Sequence, residues 1–211
     1  MALPTAYESP ENPVLYREAR LVERLAGNLT AVSPGSEAHS TTAGNTYALL
    51  HNFLRGKPCR VYTGGPAVYL TEKDCFFPDV MVVCERAKIH RDGIYGAPDL
   101  VAEVISPSTA RYDRGHKMQL YAACGVREYW LVSPREKSVE QYVPEHHEKS
   151  VEQYVPEHQA FTLRGVYTLA EAWELNHLSP EQTADFPQSF RSAVFEDLEI
   201  PLDEIFGNML E

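Results

Sequence analysis

Three ionisable residues lie at or inside apolar segments, where charged side chains are unusual. Asp79 precedes the run Val80 to Val83, Glu103 interrupts the run Leu100 to Ile105, and Lys117 follows in a helical pattern. The Glu103 strand is apolar on both faces, so an unpaired carboxylate there would be costly. Glu103 therefore needs a cation, either a metal ion or a basic side chain. Lys117 can serve as that cation, and Asp79 can share a metal ion with Glu103.

The segment after Glu103 predicts how Lys117 is positioned. Ser106-Pro107-Ser108-Thr109 ends the strand, and Asp113 is predicted to cap the next helix. Lys117 is the one basic residue on the inward face of this helix; the alternative is that only its stem is buried. The run Glu128 to Val132 predicts another strand. A strand, a helix and a strand in this order imply a right-handed crossover and a parallel pair.

Three further polar residues are weaker site candidates. Apolar residues at helical spacing before Gly27 predict a first helix, on which Glu23 is a solvated charge or, alternatively, a site residue. Ser36 is predicted to cap a second helix, which ends near Gly56. His39, in its first turn, is an exposed or capping residue, with a functional role as the alternative. Asp99 lies about 13 Å along the strand from Glu103, which is too far to share one ion. Asp99 is predicted to be a turn residue, or to contact the metal ligands without binding the ion itself.

The segments between these elements predict a hairpin and a basic loop. Strands Cys59 to Thr63 and Ala67 to Leu70 are joined by Gly64-Gly65-Pro66, a turn by composition. After Val83 comes a loop with basic side chains that are candidates for phosphate contacts, although a solvated loop is the alternative. The candidates are Arg86, Lys88 and Arg91.

The second half of the chain contains an identical repeat. Residues 136–146 recur at 148–158, a shift of 12. Each copy reads as a strand ended by proline, and because 12 is even both copies present the same faces. We therefore expect one copy to pair in the sheet, while the other forms a hairpin extension or an exchanged arm. Three later segments are also predicted: a strand at 161–167, a short helix at 169–177 and a closing apolar segment at 198–206.

Composition and charge limit the class of protein. The 211 residues fit one domain, 14–211, after a loose arm at 1–13. The net charge is −11, but the segment 168–211 alone holds ten acidic residues against one basic residue, so the nearly neutral remainder neither supports nor excludes DNA as a partner. No apolar run is long enough to cross a membrane, and no signal region is present. The four scattered cysteines predict reduced, mostly buried thiols in a cytoplasmic protein.

Taken together, the motifs resemble a known family. They are Pro78-Asp79-Val80, Ala97 to Val104, Ser106 to Thr109, Asp113, Lys117, Tyr121, Gly125-Val126 and Glu128-Tyr129-Trp130. The chain is similar to the Uma-type restriction endonuclease family of the PD-(D/E)XK nuclease superfamily. This resemblance implies a restriction-endonuclease-like core, in which a mixed β-sheet is flanked by helices.

The resemblance also implies an activity and a set of site residues. It implies hydrolysis of phosphodiester bonds, with DNA as the expected substrate and Mg²⁺ or Mn²⁺ as the cofactor. Because two active sites are needed to cut two strands together, we expect a homodimer. Asp79, Glu103 and the Val104 carbonyl would hold the ion, and Lys117 would orient or deprotonate the attacking water. The residue two positions after Glu103 is Ile105 rather than the superfamily's lysine, so Lys117 must supply the amine from the next helix. The alternatives are an inactive relative that binds nucleic acid or a protein, and a hydrolase of a smaller phosphoester.

Overall fold

The computed structural model describes residues 22–31, 35–107, 109–145, 160–170, 179, 183 and 186–209. Thirteen strands and four α-helices lie in these ranges. In chain order they are β1 Val22–Leu25, β2 Asn28–Ala31, α1 Glu37–Leu54, β3 Arg60–Thr63, β4 Val68–Thr71, β5 Asp74–Phe76, β6 Val80–Val83, β7 Ile94–Tyr95, β8 Leu100–Val104, α2 Ala110–Tyr112, α3 Met118–Cys124, β9 Glu128–Ser133, β10 Ser138–Pro144, β11 Phe161–Thr168, β12 Ser189–Arg191, β13 Glu199–Pro201 and α4 Leu202–Phe206.

A six-stranded mixed sheet forms the centre of the molecule. Its strand order is β11-β10-β9-β8-β6-β3, and β8 and β9 are its parallel pair. The predicted parallel crossover is thus confirmed. Every residue of β6, β8 and β9 is buried, because this part of the sheet is covered on both faces.

The helices α1 and α4 cover one face of this sheet, and a second sheet together with α3 covers the other. On the first face, Leu50 of α1 and Ile205 of α4 pack against Val80, Ala102 and Trp130. On the second face, a five-stranded sheet of order β2-β1-β5-β4-β7 packs against the side chains next to Glu103. The expected mixed α/β fold is confirmed, but the second sheet was not anticipated.

The predicted first helix is wrong over its described part. Val22–Leu25 and Asn28–Ala31 are two antiparallel strands joined by Ala26 and Gly27, whose φ angles are +49° and +83°. Two consecutive positive φ angles fit a two-residue hairpin turn, which the glycine favours. Glu23 therefore lies on a strand and is buried, rather than on a solvated helix face.

Two other local predictions are also wrong. Strands β3 and β4 form no hairpin: β3 pairs with β6 in the central sheet, and β4 pairs with β5 and β7 in the second. Asp113 does not cap a helix. It begins a π-helical turn, Asp113–Lys117, which contains non-helical dihedrals at Gly115 and joins α2 to α3.

The prediction of four reduced thiols is wrong for one pair. Cys59 and Cys84 form a disulfide, whereas Cys75 and Cys124 are free. The cause is the register of β3 and β6, because the pairing of Arg60 with Val83 places Cys59 opposite Cys84 at the next position.

The first copy of the repeat forms β10, between β9 and β11. The second copy lies outside the described residues, as do the arm at 1–13 and most of the short helix predicted at 169–177. The amide of Glu145 donates to the carbonyl of Ala160, so these two residues close the described part of the β10–β11 connection. Within the described ranges, no helix combines the length and apolarity that a membrane span requires.

Candidate functional site

The sheet register brings Asp79 next to Glu103. Val80 pairs with Ala102 across β6 and β8, and the Val104 amide donates to Asp79 Oδ2 at 2.8 Å. Val104 and Asp79 also flank His39, whose Nε2 lies 3.2 Å from Asp79 Oδ2. The predicted neighbourhood of Asp79 and Glu103 is therefore present in the structure.

Lys117 lies within a cluster of buried acids. Its Nζ is 2.9 Å from Glu103 Oε1, 3.0 Å from Glu23 Oε1 and 4.0 Å from Asp113 Oδ1. The side chains of Lys117 and Glu103 are only 5% and 4% exposed. The alternative in which the Lys117 ammonium reaches solvent is therefore wrong. The π-helical turn explains this position, since it lets both Asp113 and Lys117 face inwards.

The protonation of Lys117 follows from this cluster. Burial alone would lower the pKa of Lys117, but the carboxylates of Glu103 and Glu23 outweigh burial, so the net shift is upward. Lys117 is therefore an ammonium ion at neutral pH. In this arrangement it can donate hydrogen bonds and stabilise negative charge, but it cannot accept a proton.

The pKa values of two acids in the cluster, Glu103 and Asp113, are also shifted upward, and here burial is the largest cause. Burial raises the pKa of Glu103 well above its ordinary value, and Lys117 offsets only part of this. Burial also raises the pKa of Asp113, and the positive charge of Lys117 again opposes this rise without cancelling it. The neighbouring carboxylates add to both rises, because one lysine serves several acids in this cluster.

His39 lies at the edge of the site, beside Asp79. Its hydrogen bond to Asp79 raises the pKa of His39, which burial opposes, and the Val104 backbone adds to the rise. The side chains of His39 and Asp79 are 23% and 25% exposed, several times more than Lys117 or Glu103. The edge with His39 and Asp79 is therefore the side from which a substrate can approach.

The donor set fits a divalent metal ion. Carboxylate and carbonyl oxygens are the ligands of Mg²⁺, which keeps several waters and needs few protein groups. Asp79 Oδ1 and Glu103 Oε2 accept no hydrogen bond from any residue that the structure describes. Over the same ranges, no three His, Cys, Asp or Glu side chains are arranged for a metal. The fit therefore rests on Asp79, Glu103 and the Val104 carbonyl, without a further side-chain ligand.

Two tyrosines border the acid cluster. Tyr121 donates a hydrogen bond to Glu103 Oε1 at 3.0 Å. The Tyr112 hydroxyl is buried without a partner among the described residues, and Lys117 Nζ lies 6.0 Å from the centre of its ring. Burial and then the Glu23 carboxylate raise the pKa of Tyr112 to about 12, so the hydroxyl is a hydrogen-bond donor at neutral pH.

The remaining predicted residues lie away from this cluster. Asp99 accepts from the Cys84 amide and pairs with Arg127 at the opposite end of β8, which agrees with its expected turn position. Arg86 and Lys88 belong to a 3₁₀ turn beyond the end of β6. Arg86 donates to the Ile89 carbonyl, and Lys88 donates to the Ala97 carbonyl and pairs with Glu85. Of the three predicted phosphate contacts, Arg91 alone makes no ion pair or hydrogen bond with a described residue.

Sequence reasoning placed Glu23 on the wrong element and missed the contacts of Asp113 and Tyr121 with the cluster. Asp113 precedes Lys117 by four residues and Tyr121 follows it by four, a spacing that puts all three on one helix face. That signal was available. Glu23 carried no such signal, because its contact with Lys117 joins residues 94 positions apart.

Comparisons with known proteins agree with this architecture. Residues 11–176 match the Uma2 family, described as putative restriction endonuclease. An uncharacterized protein of Synechocystis sp. is 31% identical over 64% of this chain and 73% of its own length. A second from the same organism is 27% identical over 61% and 76%.

A solved structure shares the fold at low sequence identity. The crystal structure of a putative nuclease belonging to DUF820 from Anabaena variabilis aligns with a TM-score of 0.61 and 15% identity. The alignment covers 91% of this chain and 94% of the other, so the nuclease-like fold extends over nearly the whole molecule. Because the family match covers most of the sequence, the chain belongs to the Uma2 family of putative restriction endonucleases.

Proposed function

We propose that the protein is a divalent-metal-dependent endonuclease that hydrolyses phosphodiester bonds of DNA. The observation that carries this proposal is the adjacent pair Asp79 and Glu103, beside the buried ammonium of Lys117. Each carboxylate has one oxygen that accepts no hydrogen bond from a described residue. Two carboxylates can hold a metal ion, and a lysine can stabilise the negative charge that develops on the phosphate, so these groups suit metal-dependent phosphodiester hydrolysis. The family membership supports the same reaction class.

Each residue has a distinct part in this proposal. Asp79, Glu103 and the Val104 carbonyl would hold Mg²⁺ or Mn²⁺, which would polarise the phosphate and lower the pKa of a bound water. Lys117 places a positive charge where negative charge develops on the phosphate oxygens. Glu23 also holds the Lys117 ammonium, at 3.0 Å. Because Lys117 is protonated, its role is electrostatic, and the proton of the attacking water passes to another acceptor.

The assembly that we propose is a homodimer. Each chain carries one site, and concerted cleavage of both DNA strands needs two. A monomer would cut one strand at a time. The rate of linearisation relative to nicking, measured over a range of protein concentrations, tests this point.

Plasmid nicking tests the reaction. The wild type should nick supercoiled DNA with Mg²⁺ or Mn²⁺ and lose this activity with EDTA. Glu103→Gln and Lys117→Met should both abolish nicking, whereas the surface controls Glu136→Gln and Lys73→Met should retain it. Circular dichroism at the assay temperature must show that each variant is folded.

A second candidate function is favoured by the completeness of the ion cluster. Lys117 already has carboxylate partners, so Glu103 and Lys117 can form a structural pair in a protein that binds nucleic acid or another protein without cutting. A catalytic site gains stability from Mg²⁺ because the ion binds the folded state, by about 2.7 kcal/mol at 100 times the dissociation constant. A wild type that neither nicks DNA nor melts at a higher temperature with Mg²⁺ would refute the endonuclease and leave the binding protein.

A further inference from the structure

A cleft of about 470 Å³ opens beside the candidate site. One wall is formed by β3 and the residues that follow it, and the other by the segment 89–94. Its aromatic and polar side chains are three aromatic rings, one imidazole, one cation and one anion. They are Tyr62, Tyr69, Phe77, His90, Arg91 and Asp92.

The cleft adjoins Asp79 in the sheet and along the chain. Tyr62 pairs with Met81 across β3 and β6, so it is a diagonal neighbour of Asp79, at about 7–8 Å. Phe77 precedes Asp79 by two residues, and its amide donates to Glu23 Oε1, the oxygen that also accepts from Lys117. A molecule in the cleft would therefore lie next to the proposed catalytic groups.

The second wall is fixed by backbone contacts. The Ile94 amide donates to the Ala67 carbonyl at 2.8 Å, and the His90 amide donates to the Gly93 carbonyl at 2.9 Å. Gly93 permits this close approach, since a Cβ at that position would lie 2.7 Å from the Ala67 carbonyl oxygen and 2.8 Å from Tyr69 Cε2. The cleft is thus built into the fold.

The chemistry of the walls suits a flat, uncharged group with polar edges. The rings of Tyr62 and Phe77 offer apolar surfaces for stacking, and Tyr69 offers only the face that is not stacked on Tyr95. Arg91 and Asp92 supply a donor and an acceptor whose charges cancel, which disfavours an isolated phosphate. The Asp92 carboxylate already accepts from Tyr95, which fixes its orientation. A nucleobase has this combination of a π-face and a hydrogen-bonding edge.

We propose that the cleft binds one unpaired nucleobase of a nucleic-acid strand whose neighbouring phosphodiester lies at Asp79 and Glu103. The inference rests on the proposed nuclease function and specifies its substrate as a strand with at least one unpaired nucleotide. A base inside a duplex presents its faces to its neighbours and cannot enter a cleft between aromatic rings.

Binding without cleavage tests the cleft apart from catalysis. A fluorescent single-stranded octanucleotide is titrated in EDTA and compared with an octamer of abasic residues, which keeps the phosphates but lacks the bases. The wild type should bind the base-bearing strand more tightly than both the abasic strand and a duplex of the same sequence. A free deoxynucleoside monophosphate should compete only weakly.

Two variants locate the base. Tyr62→Leu, which keeps an apolar side chain, and Arg91→Ala, which changes an exposed residue, should each weaken binding of the base-bearing strand by about 5- to 150-fold. Neither should change binding of the abasic strand. Arg164→Ala removes the same charge from β11 and serves as the matched control.

The outcomes of these binding experiments distinguish the base-binding proposal from the proposed nuclease activity. The base-binding proposal would be overturned if the wild type bound base-bearing and abasic strands equally. It would also be overturned if the variants lost the same affinity for both strands, even if the protein nicks DNA. Tighter binding of the duplex would also overturn it. Base-dependent binding that Tyr62→Leu and Arg91→Ala weaken would support the cleft even if no cleavage is found.

Discussion

The replacement of Lys117 by methionine tests the ion cluster most directly. Methionine keeps most of the apolar stem of lysine but removes the ammonium that Glu103 and Glu23 contact at 2.9 and 3.0 Å. Removal of one partner from a buried pair costs about 3–5 kcal/mol because the other charge stays buried. For a chain of this size, 1 kcal/mol corresponds to about 2–4 °C, so Lys117→Met should lower the melting temperature by about 6–20 °C.

The double variant separates the charge from the packing. In Glu103→Gln/Lys117→Met, glutamine still accepts from Tyr121 and no unpaired charge remains at position 103. We expect this variant to recover at least half of the stability that Lys117→Met loses, although it should not nick DNA. Melting is followed by circular dichroism at pH 7 in EDTA, with Lys73→Met as the control. Lys117→Met melting within about 2 °C of the wild type, or a double variant no better than the single one, would refute the ion cluster.

Three more predictions follow from individual contacts. Tyr112→Phe should raise the unfolding free energy in urea by roughly 1 kcal/mol, because it removes a buried hydroxyl that has no partner among the described residues. If that hydroxyl contacts the phosphate, nicking should fall by about 10²-fold, and loss of both stability and activity would contradict this role. Asp113→Asn should raise the melting temperature at pH 7–8, since burial raises the pKa of Asp113 and its ionised form opposes folding. The gain should vanish as the pH falls below the ordinary pKa of an aspartate, and a gain that grows in acid would have the wrong sign. Deletion of residues 137–148 should leave a soluble protein whose unfolding free energy is within about 2 kcal/mol of the wild type, because the second copy supplies β10 and His158-Gln159 a short turn. Insolubility of this variant would show that both copies are structural.

The centre of the candidate site could be predicted from sequence because its parts are close in the chain. Asp79 and Glu103 lie on neighbouring strands, and the helix with Lys117 joins β8 to β9. In such a unit, apolar runs define the strands and helix periodicity defines the inward face. The pairing of these strands could therefore be predicted without information from distant parts of the chain.

The parts that could not be predicted depend on pairing between distant segments. β1 pairs with β5, and the disulfide follows from the pairing of β3 with β6 rather than with β4. Short strands carry too little pattern to select such partners. The first helix was predicted wrongly because apolar residues at helical spacing outweighed the Ala26-Gly27 turn signal.

The repeat gives the chain a spare central strand. With the first copy in the sheet, the connections on either side of β10 are residues 134–137 and 145–160. With the second copy in its place they would be 134–149 and 157–160, so the same short and long connections simply exchange sides. The loop-closure entropies are then equal, and either copy can supply the strand at nearly the same free energy.

Because the two copies are equivalent, a destabilising substitution in one copy should have a reduced effect on stability. Gln141 of β10 donates to the buried Glu128 at 2.6 Å and to the Arg191 carbonyl at 2.8 Å, and Gln153 is its counterpart in the second copy. When Gln141 alone is substituted, the intact second copy can form β10 instead. The loss in unfolding free energy is then limited to the small difference between the structures with the first and the second copy in the sheet. The full contribution of this contact is exposed only when Gln141 and Gln153 are changed together.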